Sequence, residues 1–235
     1  MNSCAVCHAE NDHLATVCTS CGGFLQRRIE NLDLFSSSWQ VLERPVAGFR
    51  IIALAKHKNY MVLLSAVAGF AFVFGFFWLA KAGEYAQNLI NILAAGLALG
   101  PPVGIVVVLS VSWAIVVFSR FMRLRVRLRD VYAVAAYASV PLILSSILLL
   151  PIEVLSFGTY FFTRDPSPYL IRPLSYVTLL ALDGAFGLWS VILLWVGLRV
   201  LFNAGWSRPA GAVLTVLLLA GLVVAAVIGV GIRGV

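Results

Sequence analysis

YMVLLSAVAGFAFVFGFFWLA, residues 60–80, is the stretch on which the fold turns, because it runs for twenty-one positions without a charge. A bilayer's hydrocarbon core takes roughly 20 apolar residues of α-helix, since every amide and carbonyl in lipid must find its partner within the segment. Leu89 to Phe118, Val131 to Leu150 and Pro209 to Gly231 meet the same requirement and are likewise uncharged. Tyr169 to Asn203 is apolar throughout, too long for one straight span, and interrupted by Asp183-Gly184. The fourth span is therefore expected at Gly184 to Asn203, with Asp183 as an N-cap accepting bonds from first-turn amides. Tyr169 to Leu182 is expected as a shorter helix at the far interface, or dipping into it. These readings predict an all-α integral membrane protein with about five spans, at 60–80, 89–118, 131–150, 184–203 and 209–231.

Composition agrees. Of 235 residues, 61% are apolar and 11% charged, against about 25% charged in a soluble domain. Residues 1 to 58 hold five of the ten acids, which divides the chain into a head at 1–25, a linker with an interfacial helix at 26–59, and a membrane domain at 60–235. Cytosolic flanks carry an excess of Lys and Arg. With five spans and the N-terminus inside, thirteen basic residues fall on the cytosolic side and four outside: Lys81, Arg164, Arg172 and Arg233. The N-terminus is thus expected in the cytosol and the C-terminus outside. No basic-then-apolar leader follows Met1, so no cleaved signal peptide is expected.

All four cysteines lie in the head, as Cys4-Ala5-Val6-Cys7 and Cys18-Thr19-Ser20-Cys21, with Gly22 and Gly23 behind the second pair. Two Cys-x-x-Cys turns facing each other supply the thiolate tetrahedron that structural zinc prefers. Three other chemistries compete. Cys4-Ala5-Val6-Cys7-His8 satisfies the c-type haem pattern, but haem attachment needs an exported head and leaves Cys18 and Cys21 idle. Disulfides do not suit a reducing cytosol, and a redox dithiol needs no second pair. A structural Zn2+ is expected, its shell closed by sulfur, with His8 and His13 as solvated neighbours.

Pro45 opens a helix that gathers Phe49, Ile52 and Ala53 on one face, the pattern either of a helix lying on the inner leaflet or of a plain connector. Arg123, Arg125, Arg127 and Arg129 alternate through one loop. They read as a topology determinant or as a contact for anionic lipid or a partner. No aromatic platform accompanies them, so no nucleic acid is expected. Gly96, Gly100 and Gly104 make a small-residue strip for close helix packing. Pro101 and Pro102 in the same stretch are expected to kink or break it. Glu153 and Asp183 are placed at span ends without an evident partner. No phosphate loop, no His-Glu-x-x-His motif and no histidine within a span points to catalysis.

Trp39, Pro45, Tyr137, Pro141, and Leu182-Asp183-Gly184-Ala185-Phe186-Gly187-Leu188-Trp189 with Gly197 and Arg199 together resemble the Yip (Ypt-interacting protein) domain, in a bacterial form with a zinc ribbon in front. The resemblance covers about residues 36 to 231. It departs where family members often carry a glycine-rich turn between the second and third spans and this chain carries arginines. It implies five spans and a cytosolic N-terminus, in a family tied in eukaryotes to Rab-type GTPases and membrane shaping; Rab binding is not carried over to a bacterial chain. The expected role is a non-enzymatic scaffold or adaptor in a bacterial cytoplasmic membrane, with the bilayer and a membrane-protein partner or second copy as its contacts. The alternative is a small permease or transporter accessory subunit; an intramembrane enzyme would need Glu153 and Asp183 to share a polar cavity.

Overall fold

The computed structural model describes residues 2–11, 15–25, 30–86, 88–124, 126–203, 205 and 207–233. Two short strands, β1 (Asn2–Ser3) and β2 (Glu10–Asn11), open the chain as an antiparallel pair. Helices follow: α1 (Leu34–Glu43), α2 (Pro45–Leu54), α3 (Met61–Leu79), α4 (Leu89–Phe121), α5 (Leu128–Ala138), α6 (Val140–Phe157), α7 (Pro168–Ile171), α8 (Pro173–Phe202) and α9 (Ser207–Arg233). Among the described residues, four segments are long and apolar enough to cross a membrane: Met61–Leu79, Leu89–Phe121, Leu128–Phe162 and Pro173–Phe202. In α9 the stretch Ser207–Leu222 counts as a shorter apolar helix, while its backbone continues to Arg233.

Several expectations change. The fourth span does not begin at Gly184, because α8 is continuous from Pro173 to Phe202 and spans about 45 Å at 1.5 Å per residue. Asp183 lies ten residues inside it, caps nothing, and faces another helix. Tyr169 to Leu182 is accordingly not a separate helix: α7 is one turn, and the rest is the first third of α8. The third span starts and ends outside 131–150, as α5 and α6 joined at Ser139. Pro141 just beyond the joint lacks the amide that would carry α5 onward. Pro101 and Pro102 do not break α4, which runs through both. Close packing against α3 along the glycine strip holds it in place there.

The linker does not simply lie on the membrane. Phe49 and Ile52 of α2 and Val41 of α1 are fully buried in the core shared with α3, α4, α5 and α8. The apolar face of α2 is thus spent on protein, not on lipid. Helix α5 is enclosed, every residue from Val131 to Ala138 being buried. A second core cluster, centred on Phe74, Phe157, Phe161 and Phe162, fills the other half of the bundle. That half includes the loop after α3 and the loop after the short 3-10 turn Gly158–Phe162, joined where the Arg164 amide donates to Glu84 at 2.9 Å.

Candidate metal centre

The head folds as two copies of one turn. In the first, the His8 amide donates to the Cys4 carbonyl (2.9 Å) and the Cys4 amide to the Ala9 carbonyl (3.0 Å); in the second, Gly22 donates to Cys18 (3.0 Å) and Cys18 to Gly23 (2.8 Å). The residue after each second cysteine takes left-handed backbone, His8 at φ 56° and Gly22 at φ 71°, a conformation natural only for the glycine. His8 is exposed, as expected; His13 lies outside the described residues. Asn11, which the sequence reading passed over, ties the turns together. Its side-chain nitrogen donates to the Ala9 carbonyl at 2.8 Å and to Cys18 Sγ at 3.4 Å, while its oxygen accepts from the Thr19 amide and hydroxyl.

These turns bring Cys4, Cys7, Cys18 and Cys21 together with all four sulfurs within 4.8 Å of one another. Cys4 faces Cys21 and Cys7 faces Cys18, each pair at 3.5 Å. A tetrahedral metal with bonds of about 2.3 Å holds its sulfurs about 3.8 Å apart, so the donor set fits such an ion. Amides of Cys7 and Val6 lower the Cys4 thiol, and those of Cys21 and Ser20 hold Cys18 down at about 6. The Gly23 amide pulls Cys21 the same way, but the sulfurs of Cys7 and Cys4 outweigh it and push that thiol up to about 12. Four sulfurs this close cannot all be thiolates without a cation among them, which is the electrostatic case for a bound ion.

The head sits over a polar recess of about 380 Å³ whose walls include Ala15 and Thr16, the end of α2 with Lys56 and Lys58, and the start of α5 with Arg127, Arg129 and Asp130. Lys58 is buried. It donates to the carbonyls of Ile52 (2.7 Å) and Ala53 (3.2 Å) and lies 3.1 Å from Asp130, so one ammonium closes the C-terminus of α2 onto the first turn of α5. Arg123, Arg127 and Arg129 are exposed, and Arg125 lies outside the described residues, as do Arg27 and Arg28. Among the described residues of the alternating set, Arg127 and Arg129 line the recess.

The glycine strip packs on α3. A β-carbon at Gly104 would lie 2.6 Å from the Gly69 Cα, and the rings of Phe74 and Phe70 lie over Gly96 and Gly100. Gly69 was missed, although Ser65 and Gly69, four apart, carry the same small-residue signature. Tyr137 is fully buried, with its hydroxyl donating to the Asn59 carbonyl at 3.2 Å, and Pro141 is buried beside it. Gly197 seats the ring of Phe49. Phe186 packs on the far core cluster and Trp189 is exposed. Asp183 and Glu153, expected apart at span ends, meet instead: Ser145 donates to Asp183, Glu153 lies within hydrogen-bonding reach of Asp183, and all three line one cavity.

The Yip1 domain matches residues 39–228. The chain belongs to the Yip1 domain family. The match begins inside α1 and runs into α9, so the buried α1–α2 approach is part of the Yip1 unit and the cysteine head stands before it. Comparison with curated proteins and with solved structures gave no match.

Proposed function

We propose that this Yip1-family membrane protein is a non-enzymatic scaffold or adaptor of a bacterial cytoplasmic membrane, with its N-terminal head and arginine loop in the cytosol and its C-terminus outside. The observation that carries the reading is the recess beneath the head, where Ala15 and Thr16 of the head meet Lys56, Lys58 and the basic start of α5. Zinc suits the head because four sulfurs close a tetrahedral shell and leave no position for a substrate; the ion's work is to hold the head in shape. Arg123, Arg125, Arg127 and Arg129 extend that basic surface toward anionic headgroups or an acidic partner, and the bundle itself offers a surface for a membrane-protein partner or a second copy. Purification of the full-length protein in a mild detergent, with crosslinking beforehand, tests this. Co-purification of a defined partner or a specific oligomer is expected, and recovery of a bare monomer overturns it.

A second reading, a small permease or accessory subunit of a transporter, is favoured by the cavity that holds Glu153 and Asp183, whereas the polar cavity that an intramembrane enzyme needs is not matched by its mostly apolar walls. It predicts that Asp183→Asn abolishes a flux in reconstituted vesicles while the protein stays folded.

A further inference from the structure

Between α3, α6 and α8 lies a cavity of about 400 Å³, within the range that small-molecule sites occupy. Its walls are mostly apolar and aromatic, Phe74, Trp78, Leu142 and Phe161 among them; Glu153 and Ser145 from α6 meet Asp183 from α8, and the other polar side chain of α6 there, Ser146, donates to the Ile143 carbonyl. With α8 centred on a bilayer whose core takes about 20 residues, Asp183, ten residues into that helix, stands about 7 Å inside the hydrocarbon by helix rise.

One atom there lacks a partner. Glu153 is 3% exposed, and its Oε1 has no hydrogen bond. Asp183 is occupied by the Ser145 hydroxyl and by Glu153 itself. An orphaned carboxyl oxygen in lipid is costly, and ionisable groups at membrane depth mark binding pathways. Two carboxyls in contact repel once charged, and no lysine or arginine among the described residues lines the cavity. A cation is the missing complement. A bare metal ion wants six or more oxygens around it, whereas here the oxygens are few and most of the wall is apolar. An ammonium with an apolar body matches both parts, and rings receive cations on their faces. Trp78, which lines the cavity, already does so for the Lys81 ammonium, 4.7 Å from its ring centre.

We propose that this cavity binds an organic cation, an ammonium on an apolar body, with Glu153 and Asp183 taking the charge and Phe74, Trp78 and Phe161 enclosing the body. The site stands on these residues and does not depend on the adaptor reading. It is tested on the full-length protein in phosphatidylcholine nanodiscs by calorimetric titration with 4-phenylbutylamine, against 4-phenylbutanol as its neutral counterpart. Saturable one-to-one binding of the amine is expected, at least tenfold tighter than the alcohol, and weakened at least tenfold by Glu153→Gln and by Asp183→Asn. Gly75 lines the cavity, and a β-carbon there meets nothing within 4 Å. A side chain at this position therefore starts into open space, and Gly75→Leu is expected to abolish binding at unchanged melting temperature even if the carboxyl variants fold poorly. Equal affinity for the alcohol, undiminished binding in Gly75→Leu, or no saturable binding to the wild type overturns the proposal. Adding phosphatidylethanolamine to the discs separates two sources of the same chemistry. Competition assigns the site to an aminolipid headgroup, and its absence to a free amine.

Discussion

The ring of Phe49 on α2 rests against Gly197 on α8, so closely that a β-carbon at Gly197 would come within 3.0 Å of two ring carbons and 2.5 Å of Val134 on α5. Three elements converge on a position with no side chain, and neither a fully buried ring nor an enclosed helix can retreat. Gly197→Ala is expected to destabilise the protein by about 1–3 kcal/mol, the usual cost of overpacking. Gly184→Ala, where a β-carbon meets nothing within 4 Å, is expected to be neutral or slightly stabilising through helix propensity. Melting curves of the two variants in the same detergent distinguish them, and equal losses would show that Gly197 is not a packing seat.

The α3–α4 contact is tighter still. At Gly104 an added β-carbon would run into the Ser65 carbonyl and the Gly69 backbone, and backbone cannot swing aside as a side-chain tip can. Gly104→Ala is expected to lower the melting temperature more than Gly96→Ala, whose obstacle is the ring of Phe74. The order of the two, more than either value, tests whether the strip works through backbone contact.

Much of this was legible in the sequence for a simple reason: lipid imposes length and apolarity on a span, and both can be read off directly. The four sulfurs were equally legible, because local Cys-x-x-Cys turns need only one chain reversal to meet. What failed was the reading of Asp183 and Glu153 as residues at span ends. Asp183 resembled a cap because a carboxylate within a span has no partner along its own helix; its partners, Ser145 and Glu153, lie on α6, about thirty to forty positions away in sequence. The same holds for Phe49 and Ile52, whose apolar face is the same whether it meets lipid or protein, and for Lys58, counted as one more cytosolic charge until its contacts with Asp130 placed it inside.

The head is expected to hold one metal ion per chain, seen by elemental analysis of the purified protein, and Cys18→Ser to lose it. Acidification acts in the same direction. A thiol held at about 6, as Cys18 is, against an ordinary value of 9.0, stabilises the folded head fully above pH 9, and that contribution is lost as pH falls through 6. Protons then compete with the metal for sulfur, and release is expected on the acid side only. His8 offers a further check. It occupies the left-handed position that Gly22 fills in the other turn, so His8→Gly is expected to tighten metal retention against a chelator by relieving about 1 kcal/mol of backbone strain.

Lys58 and Asp130 provide the last test, because they join the approach helices to the bundle. The Lys58 side chain is 3% exposed and that of Asp130 27%, so the pair is only partly screened by water. Asp130→Asn takes the carboxylate away from a buried ammonium that still meets the carbonyls of Ile52 and Ala53, whereas Lys58→Met removes the ammonium and leaves those carbonyls uncapped. Each change is expected to destabilise, Lys58→Met by about 1–3 kcal/mol from the unmade hydrogen bonds. The double variant is expected to lose less than the two losses combined, with a coupling of about 0.5–3 kcal/mol, since removing both charges strands neither. Strict additivity in the melting data would mean that α2 is held to α5 by Phe49 and its apolar neighbours, with the ion pair contributing nothing of its own.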